Sequence, residues 1–378
     1  MELSNVHNVA LWGFLVAVVF GAIANRTNFC TMGAVSDWVN MGDKNRLRAW
    51  FLAIGVAILG SQALQAAGYF DLGKSIYLTA NLGWLGHLLG GFLFGVGMTL
   101  GSGCGQRTLV RVGGGNLKSL VVMLFLGITA YMTLRGLIAP FRINAIETTN
   151  LDLAVRNISD QSLVSLLGAA GVGITPVVRW VIVAVVGGGF VLFALASAAF
   201  WKSPRDLLAG ISIGLIIVAG WYITGKIGYD DFEPVRLESY TFVAPVAEQI
   251  NYLMTYTGST INFGIAAVFG VMAGSFLYAV LSGSFHIETF SSRQDMVNHI
   301  VGGILMGFGG VLSLGCTIGQ GVTGMSTLAI GSVITLVMII FGSAFTMKVQ
   351  YYLLDERGFF TALRHAAADM RLLPAVKA

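Results

Sequence analysis

Apolar stretches of about 20 residues recur along the whole chain, and this is the length that an α-helix needs to cross a bilayer. Nine such stretches can be counted in the 378 residues. A spanning segment must satisfy its own backbone hydrogen bonds, so stretches of this length predict a helical bundle and not a barrel. The predicted spans cover residues 8–24, 48–69, 83–101, 117–138, 176–200, 206–224, 260–282, 298–315 and 328–347.

Composition agrees with this interpretation. Hydrophobic residues make up 56% of the chain and charged residues only 11%, whereas soluble domains carry about 25% charge. We therefore expect one integral membrane domain over 1–378, an all-α polytopic protein without a fused catalytic domain. No Walker-type motif is present in the sequence, which argues against an ATP-driven pump. The net charge of +4 is small and does not indicate a nucleic acid partner.

Basic residues predict the orientation, because cytoplasmic loops carry an excess of Lys and Arg. Basic clusters occur at 43–48, at 202–205 and in the C-terminal tail, whereas the segment 230–238 is acidic. With nine spans, an N-terminus outside places the basic clusters in the cytoplasm and the acidic segment outside. Residues 240–256 mix aromatic and polar side chains. They fit either an interfacial amphipathic helix or an ordinary loop, and the loop is favoured.

Two segments of the chain repeat each other. Residues 87–104 and 299–316 align without a gap at a constant offset of 212, and nine of the 18 aligned pairs are identical. The identical pairs are a His at the start, a Cys at the end, five Gly and two Leu. The first copy runs inward and the second outward, which predicts an inverted repeat as in many transporters. We expect the two halves to cover 1–140 and 176–350.

Each copy of the repeat ends in a cysteine with glycines close behind it. Gly105 follows Cys104 directly, and Gly319 comes shortly after Cys316. The stretch before the next span is too short to cross the membrane and return. Short re-entrant helices are therefore expected, since such backbone is tolerated only where it lines a cavity. A second set of glycines is expected to let helices approach closely, namely Gly91, Gly95 and Gly97.

The three cysteines of the chain share one setting, at the end of an apolar helix and before small or polar residues. These positions are Cys30, Cys104 and Cys316. A lone free cysteine is commonly just a small buried hydrophobe, but no cysteine of this chain lies in the apolar bulk. Thiols are polarisable, weak hydrogen-bond donors, and a helix that begins at a cysteine offers free N–H groups to an anion. Together these features favour a soft, sulfur-containing anion.

Polar residues beside the cysteines complete the predicted site. Arginine supplies positive charge, and glutamine supplies neutral donors. The possible substrate-binding positions are Arg26, Gly105, Gln106, Arg107, Thr317 and Gln320. No catalytic residue, metal site or cofactor is predicted. The role of the two histidines that open the repeat, His87 and His299, is left open.

The motifs around the cysteines resemble the YeeE/YedE sulfur-transport family. They occupy 28–34, 101–105 and 307–321, and the likeness covers nearly the whole chain. The resemblance implies an hourglass fold in the bacterial inner membrane, with re-entrant helices meeting at its centre. It also implies that Cys30, Cys104 and Cys316 line a narrow path along which thiosulfate passes by weak hydrogen bonds to thiols.

The predicted function is an inner-membrane permease for thiosulfate or a related sulfur anion, and not an enzyme. Its expected partners are that anion, membrane lipid and, by the same resemblance, a cytoplasmic TusA-like sulfurtransferase. Two alternatives stay open. One is a membrane sulfurtransferase that forms a cysteine persulfide. The other is a soft-metal transporter, since thiolates suit Cu(I) or Zn, although unpaired cysteines make a poor metal site.

Overall fold

The computed structural model describes residues 5–230, 235–355 and 358–372. Within these ranges the chain is mostly helical, and nine helical segments are long and apolar enough to cross a membrane. The protein is therefore a polytopic all-α membrane protein, as the apolar stretches predict. The segments are Asn5–Met41, Asn45–Ala66, Trp84–Gly113, Leu117–Arg135, Pro176–Leu195, Pro204–Ile227, Phe263–Leu281, Arg293–Leu312 and Ile330–Leu354.

The α-helices of the described ranges are α1 (Asn5–Thr27), α2 (Thr31–Ser36), α3 (Asn45–Ala66), α4 (Trp84–Leu100), α5 (Gly105–Gly113), α6 (Leu117–Arg135), α7 (Ala139–Phe141), α8 (Leu163–Ala169), α9 (Pro176–Leu195), α10 (Ala198–Trp201), α11 (Pro204–Tyr222), α12 (Ala244–Met254), α13 (Phe263–Leu281), α14 (Arg293–Leu312), α15 (Ile330–Leu354) and α16 (Phe359–Asp369). Single π-helical turns occupy Asp37–Met41, Arg142–Ile146, Ile223–Ile227 and Gly319–Gly324. Short 3₁₀ turns occupy Leu72–Lys74, Ile76–Leu78, Glu147–Thr149, Ala154–Arg156 and Tyr256–Gly258. Two strands, β1 (Asn81–Leu82) and β2 (Leu151–Asp152), pair antiparallel.

Each predicted span overlaps one of the long helices, and the differences lie at the ends, where the span 176–200 also runs into α10. Helix α14 begins at Arg293, several residues before the predicted start. Its first turn is polar, so an apolar window misses it. The Ser292 side chain nevertheless caps it by accepting a hydrogen bond from the Asp295 N–H at 3.1 Å, a standard helix start.

The loop favoured for 240–256 is wrong, because most of this stretch is helix α12. Pro245 starts the helix in its first turn, where a missing N–H costs nothing. The helix packs on α6 and α13, and Val246 and Ala247 are fully buried. The segment is thus part of the bundle.

Some residues used to predict the orientation lie outside the described ranges. They are residues 231–234 of the acidic segment and Arg357 and Lys377 of the basic tail. The orientation and the two half-repeat ranges stay predictions.

The long helices contact each other in matched pairs. Helix α1 packs on α13 as α11 packs on α3, and α4 packs on α15 as α14 packs on α6. The two repeat helices, α4 and α14, also pack on each other. This pattern of exchanged partners is the one expected of two similar units related by a two-fold axis.

Glycines form the contact between α4 and α14. A Cβ built on Gly90 would lie 2.6 Å from the carbonyl oxygen of Gly309, and one on Gly309 would lie 2.6 Å from that of Gly90. Gly97 and Gly302 relate to each other in the same way, at 2.7 Å. In the repeat, with its offset of 212 residues, Gly90 corresponds to Gly302 and Gly97 corresponds to Gly309. Gly90 thus touches the equivalent of Gly97, and Gly97 touches the equivalent of Gly90. The helices therefore meet backbone to backbone, as small residues allow in membranes.

Candidate functional site

Each cysteine follows the same kind of helix end. The residue two positions before it has a positive φ: 53° at Asn28, 56° at Ser102 and 59° at Leu314. In each case the N–H of the following residue donates a hydrogen bond to the carbonyl five residues earlier. The Phe29 N–H, for example, donates to the Ala24 carbonyl, and the N–H groups before Cys104 and Cys316 do the same. This is the Schellman motif, which usually places glycine at the left-handed position. The three non-glycine residues in that conformation end the preceding helix and turn the chain in the same way before each cysteine.

Each cysteine then begins a new helical turn. Its carbonyl oxygen accepts the first helical hydrogen bond, at 3.0 Å for Cys30, 2.9 Å for Cys104 and 2.7 Å for Cys316. The sulfur of Cys30 accepts from the Gly33 N–H at 3.5 Å, and that of Cys316 from the Gly319 N–H at 3.4 Å. The Arg107 N–H faces the Cys104 sulfur in a looser form of this contact. Because the sulfur lone pairs accept from the backbone, the S–H protons are left to donate elsewhere.

The three thiols come together inside the protein. The side chains of Cys30 and Cys104 face each other. A Cβ built on Gly105 would lie 4.0 Å from the Cys316 Cβ, so Cys316 packs directly against the residue after Cys104. Cys30 is 7% exposed and the other two are fully buried. All three are free thiols.

Several buried polar groups near the cysteines lack a partner in the part of the chain that the structure describes. They include Thr31 Oγ1, Trp50 Nε1 and Gln106 Nε2. Thr317 Oγ1 faces the Cys104 sulfur and has no oxygen or nitrogen partner among the described residues. Buried donors normally find a partner. These unpaired polar groups can therefore donate hydrogen bonds to the oxygens of a small anion.

The two glutamines differ in what they do. The Gln320 amide nitrogen donates to the Ser313 carbonyl at 2.5 Å, and its oxygen accepts from the Ser332 hydroxyl at 2.5 Å. Gln320 therefore holds the turn before Cys316 against α15. In contrast, Gln106 offers its oxygen to the Cys104 thiol at 3.9 Å, and its amide nitrogen is one of the unpaired donors.

Arginines lie beyond Cys30. Arg107 donates to the Asn28 side chain at 2.8 Å, and Arg46 forms an ion pair with Asp37 at 3.1 Å. Both guanidinium groups are close enough to act electrostatically on the Cys30 thiol. Next to them is a cavity of about 430 Å³, lined by Arg26, Arg107, Arg111, Asn28, His286 and Glu288. Three arginines thus line a cavity close to Cys30, on the face of the protein that carries loop 282–292.

Sequence reasoning missed the surroundings of Cys316. Its sulfur faces the side chain of Thr241 and the backbone of Phe242, and the Tyr77 hydroxyl lies close to Thr241. Trp50, which stacks on Phe29 with ring centroids 4.6 Å apart, was also missed. These residues lie on other elements and belong to no repeated motif, so no spacing signal marks them.

The repeat histidines bond within the protein. His87 Nδ1 is 2.7 Å from Thr335 Oγ1, and His299 Nδ1 is 2.7 Å from the Asp295 carbonyl oxygen. Both rings are buried. Their contacts indicate a structural role near the N-terminal ends of the repeat helices. Among the described residues, no group of three or more His, Cys, Asp or Glu side chains could hold a metal ion.

Comparison with known proteins gives a consistent result. A family model described as sulphur transport matches residues 26–345. A thiosulfate transporter TsuA of Escherichia coli (strain K12) is 25% identical over 344 residues, which cover 89% of this chain and 93% of the relative. A thiosulfate transporter TsuA of Spirochaeta thermophila is 24% identical over 341 residues, 88% of this chain and 97% of the relative.

Proposed function

The chain belongs to the sulphur transport family, and on that basis we propose that it is a permease for thiosulfate or a related sulfur-containing anion. The observation that carries the proposal is the series of three buried thiols. Three helix ends that are far apart in the sequence each place a cysteine in the same local geometry. Close packing alone does not require this, because any small apolar residue would fill such a place.

The proposed path runs from Cys316 through Cys104 to Cys30. An anion that enters it loses part of its hydration shell, and an unpaired ion in an apolar interior is costly. The thiol protons and the unpaired donors of Thr31, Trp50 and Gln106 replace some of the lost hydrogen bonds. Each contact is weak, so the anion is held firmly enough to enter and loosely enough to leave. No covalent step is needed.

We further propose that the arginine-lined cavity is the exit. With the N-terminus outside and the basic loops inside, it opens to the cytoplasm of a bacterial cell whose inner membrane holds the protein. Positive charge there draws an anion forward from Cys30. A TusA-like sulfurtransferase would receive the sulfur species at this face.

The test of the path is a pair of substitutions, Cys316→Ala and Cys104→Ala. The first substitution removes the thiol donor at the start of the series and the second removes the one in the middle. In both we expect uptake of labelled thiosulfate to fall to the background of cells without the protein. Expression and elution from size exclusion should stay normal, because Ala is close to Cys in volume. Gly188→Ala serves as the control, since a Cβ there meets nothing within 4 Å. Full uptake in both cysteine variants would disprove the thiol path.

Mass spectrometry separates this proposal from a sulfurtransferase. In that alternative a cysteine thiolate attacks the outer sulfur of thiosulfate, forms a persulfide and releases sulfite. We expect all three cysteines to keep the mass of free thiols after incubation with thiosulfate. An added sulfur atom on any of them, formed as fast as uptake proceeds, would favour the enzyme instead.

A further inference from the structure

We propose that the hydroxyl groups of Tyr77 and Thr241 form, together with the Cys316 thiol, a binding site for the oxygen atoms of the transported anion at the outer end of the path. The inference rests on the proposed function and adds a site to it. It also predicts how the anion is oriented as it reaches the first thiol.

The three groups form one connected set. The Thr241 side chain faces both the Cys316 sulfur and the Tyr77 hydroxyl. Gly319 closes the set from the side: a Cβ built there would overlap Thr241 Oγ1 and lie 3.5 Å from the Tyr77 hydroxyl oxygen. Only glycine leaves the two hydroxyls room at this position.

The matched helix pairs give Thr241 a counterpart. Helices α1 and α3 flank the segment with Cys30, and their matched partners α11 and α13 flank the segment with Thr241. In the first half, Cys30 faces the repeat cysteine Cys104. In the second half, Thr241 faces the repeat cysteine Cys316. A hydroxyl thus occupies the place that a thiol has at the other end of the path.

Thr241 is held rigidly by its neighbours. Tyr240 and Phe242 are fully buried, while Thr241 itself is half-buried. The Tyr240 hydroxyl donates to the Gly13 carbonyl at 3.0 Å, and the Tyr240 carbonyl accepts from the Thr323 hydroxyl at 2.7 Å. The segment is therefore fixed to both α1 and the turn after Cys316. A donor fixed in this way binds an anion without an ordering cost.

The hydroxyl groups and the thiol of this site differ in the chemistry they offer to an anion. Hydroxyls are stronger donors than thiols, so they suit the oxygens of a sulfonate group, whereas a thiol suits the polarisable terminal sulfur of thiosulfate. An anion with three oxygens and one exposed sulfur satisfies both, with its oxygens on Tyr77 and Thr241 and its sulfur towards Cys316. Sulfate, which lacks the soft end, would bind at the hydroxyls and go no further. The site therefore selects sulfur oxyanions that carry a terminal sulfur.

The test compares Thr241→Val, which removes the hydroxyl and keeps the shape, with Thr241→Ser, which keeps the hydroxyl. In uptake assays with labelled thiosulfate, we expect the valine variant to raise KM at least about ten-fold, as loss of a hydrogen bond to a charged group does. The serine variant should stay within about two-fold. External sulfate should inhibit the wild type competitively and the valine variant much less. Tyr77→Phe removes the other hydroxyl of the site and should change KM and the inhibition by sulfate in the same way as Thr241→Val.

The outcomes separate the two proposals. Wild-type KM and wild-type inhibition by sulfate in both Thr241→Val and Tyr77→Phe would overturn the outer site, even if Cys316→Ala abolishes uptake and the path stands. A wild-type protein that moves no thiosulfate would overturn the permease and the site with it. Elution of each variant from size exclusion as a single folded species shows that a loss is not due to misfolding.

Discussion

Glu238 lies near the outer end of the proposed path, where its carboxylate acts electrostatically on Tyr77. Burial raises the pKa of Glu238 to about 7, with Glu248 raising it further and the Arg236 guanidinium lowering it. The carboxyl is therefore negative above neutral pH and protonated below it. A negative group beside an entry site for anions raises the energy of the bound substrate.

Uptake should consequently depend on pH through this residue. Thiosulfate keeps both charges across the range, so we expect KM to fall about five-fold as the external pH is lowered from about 8 to about 6. Glu238→Gln should hold the low KM at every pH. Glu147→Gln is the control, because that carboxylate is paired with Arg142. An unchanged pH profile in Glu238→Gln would show that the charge does not act on the substrate.

At the scale of single residues, the sequence marked the cysteines but not what positions them. Asn28, Ser102 and Leu314 share a backbone angle and no chemical property, so no pattern of residue types reveals them. Leu314 is the extreme case, since a left-handed conformation is costly for a branched side chain. Thr241 was missed for a related reason: its half of the molecule carries no cysteine at that place.

The seam between α4 and α14 is the clearest feature at the scale of helices. A Cβ on Gly97 would lie 2.7 Å from the Gly302 carbonyl oxygen and 2.8 Å from the Met306 nitrogen. Both neighbours are backbone atoms and cannot turn aside as a side chain would. Relief requires α14 to move as a whole.

Gly97→Ala should therefore destabilise the protein by about 1–3 kcal/mol, the usual cost of overpacking. Gly188→Ala on α9 is the matched control, because its Cβ meets nothing within 4 Å. There alanine should be neutral or stabilise the helix by about 0.5–1 kcal/mol. Thermal melting of the purified proteins in detergent compares the two. Equal melting temperatures for Gly97→Ala and Gly188→Ala would mean that α4 and α14 are not in close backbone contact at Gly97.

The sequence predicts helices well where a long apolar stretch defines them. It predicts them less well where a capping residue or a tertiary contact decides the structure. All nine spans were predicted, because a helix of this length in a bilayer leaves the backbone no alternative. The start of α14 was missed, since its first turn is polar. Helix α12 was kept only as the less favoured alternative, because its apolar residues are mixed with polar ones. Its contacts with α6 and α13 place it in the bundle.

At the scale of the whole molecule, the matched contacts suggest a different division from the one drawn from sequence. We propose that α1, α3, α4 and α6 correspond to α11, α13, α14 and α15. The second half then starts at Pro204 and not at residue 176. Helix α9 has no counterpart in this scheme, and it is the least buried of the spans in the described chain. A peripheral helix of this kind is free to face lipid.

The orientation can be checked with reporters at two places. Nine spans and cytoplasmic basic loops predict that a green fluorescent protein fused to the C-terminus fluoresces, while alkaline phosphatase at the same point stays inactive. The opposite pattern is expected for insertions after Arg156, in the long segment between α6 and α9. Active phosphatase at the C-terminus would invert the proposed direction of the path.

Where α4 and α14 touch backbone to backbone, at Gly90–Gly309 and Gly97–Gly302, no side chain is present that could rearrange as the halves rock. We propose that a path through so fixed a frame conducts its anion down the electrochemical gradient. With the cell interior negative, each 100 mV opposes the entry of two charges by about 4.6 kcal/mol, or roughly three orders of magnitude in concentration. Net import then depends on the metabolic reaction that consumes the anion inside, and the cell's demand for sulfur sets the direction of flow.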